Sequence, residues 1–189
     1  MIVPRETPPI VFSPFANERM REWPIGHYRR LIELTLAYFP NKVVITGTRV
    51  QRARANDLVR GLPSTRVINT CGTMPWPQVV ETVDRAYFVV ANNSGIAHLA
   101  AAAGRWVLCL FAGSHAFQEW MPRGPKVVLL SRVTDCSPCE VGAQRCPNGI
   151  ACMTELGPDS AFQLFLEVFE AHRQQPENTK PPRSSLLPA

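Results

Sequence analysis

Runs of β-branched and aromatic residues alternate along this chain with segments whose apolar positions recur every three or four residues. That is the pattern of strands interleaved with helices. Residues 9–12 (PIVF) predict a first strand. In 27–39, Tyr28, Leu31, Ile32, Thr35 and Tyr38 fall on one helical face, so a helix is predicted there. A strand at 42–45 ends at Thr46-Gly47-Thr48, and a polar helix at 50–60 stops at Gly61 and Pro63. A short strand at 66–68 precedes a helix opened by Pro77, in which Val79, Val80, Val83 and Ala86 share a face.

The segment 87–111 follows. A strand at 87–90 stops at Asn92-Asn93-Ser94-Gly95, a small-residue helix closes on Gly104, and a second strand spans 106–111. A last strand is predicted at 126–130. After Ser131 the alternation breaks into a cysteine-bearing loop, and Gly157-Pro158-Asp159 opens a helix with Phe162, Phe165 and Phe169 on one face. Such alternation predicts an α/β fold: a Rossmann-like, mostly parallel sheet with helices on both faces. One domain is expected over 1–173, including a cysteine-rich loop at 135–153. The proline-rich polar tail at 174–189 reads as disordered.

Composition narrows the class. The chain has 189 residues, 46% of them apolar, enough for one ordinary core. No charged-then-apolar leader opens it, and no apolar run approaches the ~20 residues of a membrane span. A cytoplasmic protein with at most peripheral membrane contact is expected. The net charge of +5 comes from 17 Arg against 3 Lys, scattered rather than blocked. A solvated basic surface accounts for this, although arginine also suits planar phosphates. No basic-aromatic stripe or nucleic-acid motif is present, which argues against a nucleic-acid partner.

Candidate chemistry lies in the loops. Asn92-Asn93-Ser94-Gly95 sets a helix N-terminus at the carboxyl end of a strand, where unpaired N–H groups and the helix dipole favour a phosphate. A plain strand-to-helix turn would look the same. Ser94 is the N-cap candidate. His98, one turn in, can meet a ligand or pack in the core. The small face at 100–103 reads as scaffold. Thr46, Gly47 and Thr48 can line a nucleotide pocket at the same sheet edge. Arg19, Arg21, Glu22, Trp23 and Pro24 follow the first strand. There Arg21 can hold a diphosphate, or the segment is a surface loop anchored by Trp23.

Cys71 and Cys109 read as buried thiols. Cys136, Cys139, Cys146 and Cys152 form C-x2-C-x6-C-x5-C in one loop. In a reducing compartment this suggests a structural Zn or Fe site, with free thiols as the alternative.

Taken in order, these motifs resemble the C-terminal, donor-binding half of the ADP-heptose:lipopolysaccharide heptosyltransferases, glycosyltransferase family 9, of GT-B architecture. The likeness runs from about residue 9 to residue 169. It rests on PIVFSPFA, Arg21-Glu22-Trp23-Pro24, Val44-Ile45-Thr46-Gly47, the Asn92-Asn93-Ser94-Gly95-Ile96-Ala97-His98-Leu99-Ala100 signature, Leu110-Phe111-Ala112-Gly113, Pro122, the cysteine loop and Gly157-Pro158.

The resemblance implies a nucleotide-sugar donor, most simply ADP-heptose, and sugar transfer to a lipopolysaccharide-type or other glycan acceptor. Arg21, Ser94 and Gly95 would hold the donor diphosphate; Thr46, Gly47, Thr48 and Gln51 would border the nucleoside; Asn93, Ile96 and His98 complete the donor set. No metal is needed for the transfer step, and no catalytic residue is expected in this chain. Three departures stand out. Asn93 replaces the family's Asp. Gln51 replaces the Glu beside the ribose. The N-terminal half, which supplies acceptor site and carboxylate base, has no counterpart in the sequence, so a separate N-terminal domain or subunit is expected to complete the enzyme. The alternatives are a non-catalytic nucleotide-sugar-binding module or inactive fragment, and a metal-sensing or redox protein built on the cysteine loop.

Overall fold

A computed structural model of the chain describes residues 7–114, 116–139, 146 and 148–174, with Phe117 and Gln174 described in backbone only. The expected tail at 174–189 and residues 140–145 and 147 of the cysteine loop therefore fall almost wholly outside the described residues. The elements run β1 (Ile10–Ser13), α1 (Ile25–Tyr38), β2 (Val43–Ile45), α2 (Arg52–Val59), β3 (Val67–Asn69), α3 (Trp76–Asp84), β4 (Phe88–Asn92), α4 (Gly95–Ala102), β5 (Trp106–Leu110), α5 (Phe117–Trp120), β6 (Val127–Leu130), α6 (Ala151–Thr154) and α7 (Pro158–Gln174). Short 3-10 turns occupy Arg19–Arg21 and Arg49–Gln51.

The six strands form one sheet in the order β3-β2-β1-β4-β5-β6. Every pairing is parallel, so the sheet is wholly rather than mostly parallel. Val11 pairs with Val44 of β2 on one side and Val89 of β4 on the other. The chain winds outward in opposite directions from this seam. Loops leaving β1 and β4 therefore diverge and open a cleft at the carboxyl ends of the strands.

Strand side chains alternate between two cores. Ile10, Phe12, Phe88, Val90, Trp106 and Leu108 face a cluster covered by α1, α2 and α7, whose Tyr28, Leu31, Leu58 and Phe165 pack there. Val11, Val89, Ala91, Val107 and Cys109 face a second cluster covered by α3 and α4 through Val83, Ala97 and Ala100. Burial on both faces explains why these strands read as nearly continuous apolar runs. The Phe162, Phe165 and Phe169 face of α7 is buried as its spacing predicts, with the Phe165 ring 4.9 Å from that of Phe88.

Several expected details differ. Tyr38 is 53% exposed, because α1 ends there and Phe39 turns inward in its place. The helix expected at 50–60 begins as a 3-10 turn and is α-helical only over Arg52–Val59. The small-residue face expected at 100–103 runs instead through Ala97, Ala100 and Ala101, at i, i+3 and i+4, with Ala102 exposed. Gly104, at φ 67°, ends α4 in the left-handed conformation that glycine adopts without strain. Cys71 and Cys109 are both buried, and burial pushes their thiols up to about 11 and about 12.

Candidate functional site

The loops at the carboxyl ends of β1, β2, β3 and β4 enclose a cleft of about 470 Å3. That lies within the usual range for a small-molecule or cofactor site. Nine of the ten residues expected to bind the donor line it: Arg21, Thr46, Gly47, Thr48, Gln51, Asn93, Ser94, Gly95 and Ile96. His98 does not. The sheet-facing side of α4 is taken by its alanines, which leaves His98 exposed and away from the cleft.

One wall is built to meet an anion. Gly95 and Ile96 are the first residues of α4, whose leading N–H groups have no acceptor within the helix. Ser94 occupies the N-cap with φ −150° and ψ 167°, but its side chain makes no capping hydrogen bond. Its Oγ is buried and unpartnered. Arg21, on the 3-10 turn, lines the same cleft. Its Nε is also buried without a partner, and its Nη2 reaches only the exposed Glu18 carboxylate at 3.3 Å. A guanidinium N–H, a hydroxyl and a helix N-terminus thus border one cleft with their hydrogen-bonding capacity unspent.

The opposite wall suits a nucleoside. Thr48 and Gln51 form a capping box at Arg49–Gln51, with the Thr48 N–H donating to Gln51 Oε1 at 2.8 Å. A Cβ on Gly47 would lie 2.8 Å from Gln51 Oε1 and 2.9 Å from Cys71 Sγ, so only glycine lets these loops close together. Phe15, Met74, Trp76, Val79 and Ile96 provide apolar surface, and Trp76 is 61% exposed at the rim.

The sequence reading missed Ser13, Phe15, Ala16, Asn17, Gly72, Met74, Trp76 and Val79, which also line the cleft. Most of them immediately follow β1 or β3. The rule that loops at strand carboxyl ends carry the site would have found Phe15, Ala16, Asn17 and Gly72, but not Met74 or the α3 residues Trp76 and Val79.

Asn92, the first residue of the Asn92-Asn93-Ser94-Gly95 motif, does not line the cleft. It ends β4, is fully buried, and its Oδ1 accepts from the Trp23 N–H and the Tyr28 hydroxyl, both at 2.9 Å. Its Nδ2 donates to the Pro14 carbonyl at 2.9 Å. Burial, then Cys109, then Glu22, raise the Tyr28 phenol well above its ordinary value, which keeps it a proton donor. One amide therefore fastens the segments after β1 to the end of β4 at the switch point. Glu22, with its side chain 7% exposed, adds a second clamp: it pairs with Arg54 at 2.5 Å and accepts from the Ala16 N–H at 3.2 Å. Trp23 is buried and anchors its loop, as one of the two readings of this segment expected.

A second, much smaller cavity of about 10 Å3 is lined by Met20, Gly113, Thr134, Asn148 and all four loop cysteines. It has room for roughly one water-sized particle. Hydrogen-bond donors are directed at the sulfurs. Asn148 Nδ2 reaches Cys136 Sγ at 3.5 Å and the Ile150 N–H reaches Cys146 Sγ at 3.3 Å. Cys136 is held below its ordinary value by hydrogen bonds from Thr134 and Asn148. Cys152 is raised by burial, against a Gly113 N–H bond, and further by the other three thiols. Among the described residues no group of three or more His, Cys, Asp or Glu is closed to metal-binding geometry. Four converging soft donors, N–H···S bonds and space for a bare ion nevertheless fit a thiolate-held metal.

A parallel sheet wound from a central switch point, with a helix N-terminus and an apolar wall bordering the cleft there, defines an α/β fold of Rossmann type. The chain matches the family model described as glycosyltransferase family 9 (heptosyltransferase) over residues 3–148, and it belongs to that family. No curated protein sequence matches it.

Among solved structures, E. coli ADP-heptose lps heptosyltransferase II superposes with a TM-score of 0.70 at 21% identity, covering 88% of this chain and 48% of that one. E. coli heptosyltransferase WaaC with ADP gives 0.69 at 21%, covering 88% and 46%. The iron-containing dodecameric glycosyltransferase TibC from enterotoxigenic E. coli H10407 gives 0.63 at 14%, covering 88% and 45%. At these identities the likeness is one of fold. The chain spans a little under half the length of each of these proteins. Among the described residues no helix is long and apolar enough to cross a membrane.

Proposed function

We propose that the chain is the donor-binding half of a heptosyltransferase-type glycosyltransferase, taking a nucleoside diphosphate sugar, ADP-heptose by preference, in the switch-point cleft. The observation that carries this is the pairing of Arg21 Nε and Ser94 Oγ, both buried and unpartnered, on the walls of one cleft at the start of α4. A diphosphate satisfies both groups and the helix N–H groups at once. The base then lies against Phe15, Met74 and Trp76, and the ribose against Thr48 and Gln51. WaaC has been seen with ADP, and TibC in complex with ADP-D-beta-D-heptose, which supports the choice of base.

In the reaction, an acceptor hydroxyl gives its proton to a base in a separate N-terminal domain or subunit. Its oxygen forms a bond to the anomeric carbon as the bond from that carbon to the diphosphate oxygen breaks. Negative charge accumulates on the departing ADP, where Arg21 and the α4 terminus stabilise it. The acceptor on this reading is a lipopolysaccharide-type or other glycan, and the chemistry belongs to the cytoplasm. Cys136, Cys139, Cys146 and Cys152 would hold a zinc or iron ion in a structural role, supplying cross-linking of the loop rather than chemistry.

A second reading, a binding module without transfer activity, is favoured by one feature. Asn93, 5% exposed on the cleft wall, carries an amide where the family signature has a carboxylate. Mixing the chain with a heptosyltransferase N-terminal half, ADP-heptose and acceptor separates the two. Sugar transfer, followed by mass spectrometry of the acceptor, supports the enzyme. Donor binding without transfer supports the module.

A further inference from the structure

The cysteine cavity and the donor cleft are bordered by adjacent residues of one short turn. Met20, only 5% exposed, lines the cysteine cavity; Arg21, the next residue, lines the cleft. The turn is closed by hydrogen bonds from the Arg21 N–H to Glu18 O and from the Glu22 N–H to Arg19 O, both at 3.0 Å. In so tight a turn a displacement of residue 20 carries to residue 21. A second tie runs in parallel: Trp23 Nε1 donates at 2.8 Å to Leu156 O, just beyond the α6 segment that bears Cys152. Apart from its 3.3 Å ion pair with the exposed Glu18, the Arg21 side chain rests on the turn itself, so where the turn places residue 21 sets what the guanidinium can reach.

We propose that Met20 is a positioning residue through which the four-cysteine cluster sets Arg21, so that closing the thiols around a metal ion strengthens binding of a nucleoside diphosphate. This rests on the reading of Arg21 as a donor ligand. The thiols border a space fit for one ion but stand open, and Met20 forms part of that cavity's wall. Drawing Cys136, Cys139, Cys146 and Cys152 onto an ion fixes the surface against which Met20 packs. With the thiols unligated, that surface keeps its own backbone hydrogen bonds, such as Cys139 N–H to Gly113 O at 3.2 Å and Met153 N–H to Ile150 O at 2.8 Å. At the sulfurs it has only weak S–H and N–H···S contacts, so the turn above it has more freedom than over a metal-linked cluster. Ordering Arg21 in advance removes part of the entropy lost on binding the diphosphate.

The test uses the full chain prepared with zinc(II), and with iron(II) in parallel. Metal content is read by emission spectrometry, and ADP is titrated calorimetrically before and after chelation under reducing conditions. The expected result is one ion per chain and ADP affinity about tenfold weaker after stripping, the scale of one charge-assisted hydrogen bond. Met20→Ala should keep its ion yet bind ADP as weakly as stripped protein, and Met20→Leu should recover the loaded affinity. Equal ADP affinity with and without the ion overturns the proposal, as does wild-type affinity in loaded Met20→Ala, or a chain that takes up no ion. If circular dichroism shows that stripping unfolds the chain, the two loaded Met20 variants decide. Absence of ADP binding in every state removes the donor reading itself, and this proposal with it. Equal binding in both states removes only the coupling.

Discussion

Arg21 lines the cleft, Asn92 does not, and the two do opposite kinds of work. Asn92 makes three hydrogen bonds within the protein, whereas Arg21 keeps its Nε free. Replacing Asn92 with Ala leaves a buried carbonyl, an N–H and a phenol without partners. Each orphaned group costs about 1–3 kcal/mol, partly relieved by relaxation. Asn92→Ala should therefore lose about 2–4 kcal/mol in urea denaturation; a loss near zero would show that Pro14, Trp23 and Tyr28 are held by something else.

The cysteines give a reactivity test with a definite sign. The thiolate is the nucleophile, so a lowered thiol has more of it at neutral pH and a raised one less. In metal-free chain, iodoacetamide should modify Cys136 before Cys152 at pH 7, and the Cys136 rate should level off at lower pH. Peptide mapping by mass spectrometry reads the order. Cys71 and Cys109, both buried and raised, should stay unmodified until the chain unfolds.

At the scale of elements, the strands and long helices were legible because each carries its own burial pattern. Val43–Ile45 and Trp106–Leu110 are apolar on both faces, and Phe162, Phe165 and Phe169 repeat at helical spacing. The four-residue α5 and α6 were not legible, since four residues cannot display a helical repeat. Much of the cleft was readable for a related reason. Thr46-Gly47-Thr48 and Asn93-Ser94-Gly95 stand where strand signals stop. Met74 and Trp76 follow a strand of only three residues, and no local feature marks them as cleft residues rather than core. The role of Asn92 depends on partners 64 to 78 residues away, so no window of sequence displays it.

Gly47 tests the β2 loop as an element. A methyl there meets Gln51, Cys71 and Phe15 together, two of them inside 3.0 Å. Gly47→Ala should cost about 1–3 kcal/mol of stability as an overpacked site and weaken ADP binding by displacing Gln51. Thermal denaturation alongside calorimetry separates the two effects, and an unchanged affinity would remove Gln51 from the nucleoside wall.

On the scale of the whole molecule, the described residues form one parallel sheet with a cleft at its switch point, and the chain covers 48% of the length of heptosyltransferase II. Transfer on this account needs a base and an acceptor site from elsewhere, whereas donor binding needs only what this domain carries. Nucleotide titration is therefore the most direct measurement. ADP, UDP and GDP are titrated calorimetrically into the wild-type chain and into Arg21→Ala. The account expects saturable binding at one site, ADP tightest, and a loss of about 10- to 150-fold in Arg21→Ala, corresponding to the 1.5–3 kcal/mol of a charge-assisted hydrogen bond. No binding of any nucleoside diphosphate, or ADP bound as tightly by Arg21→Ala as by wild type, would contradict it.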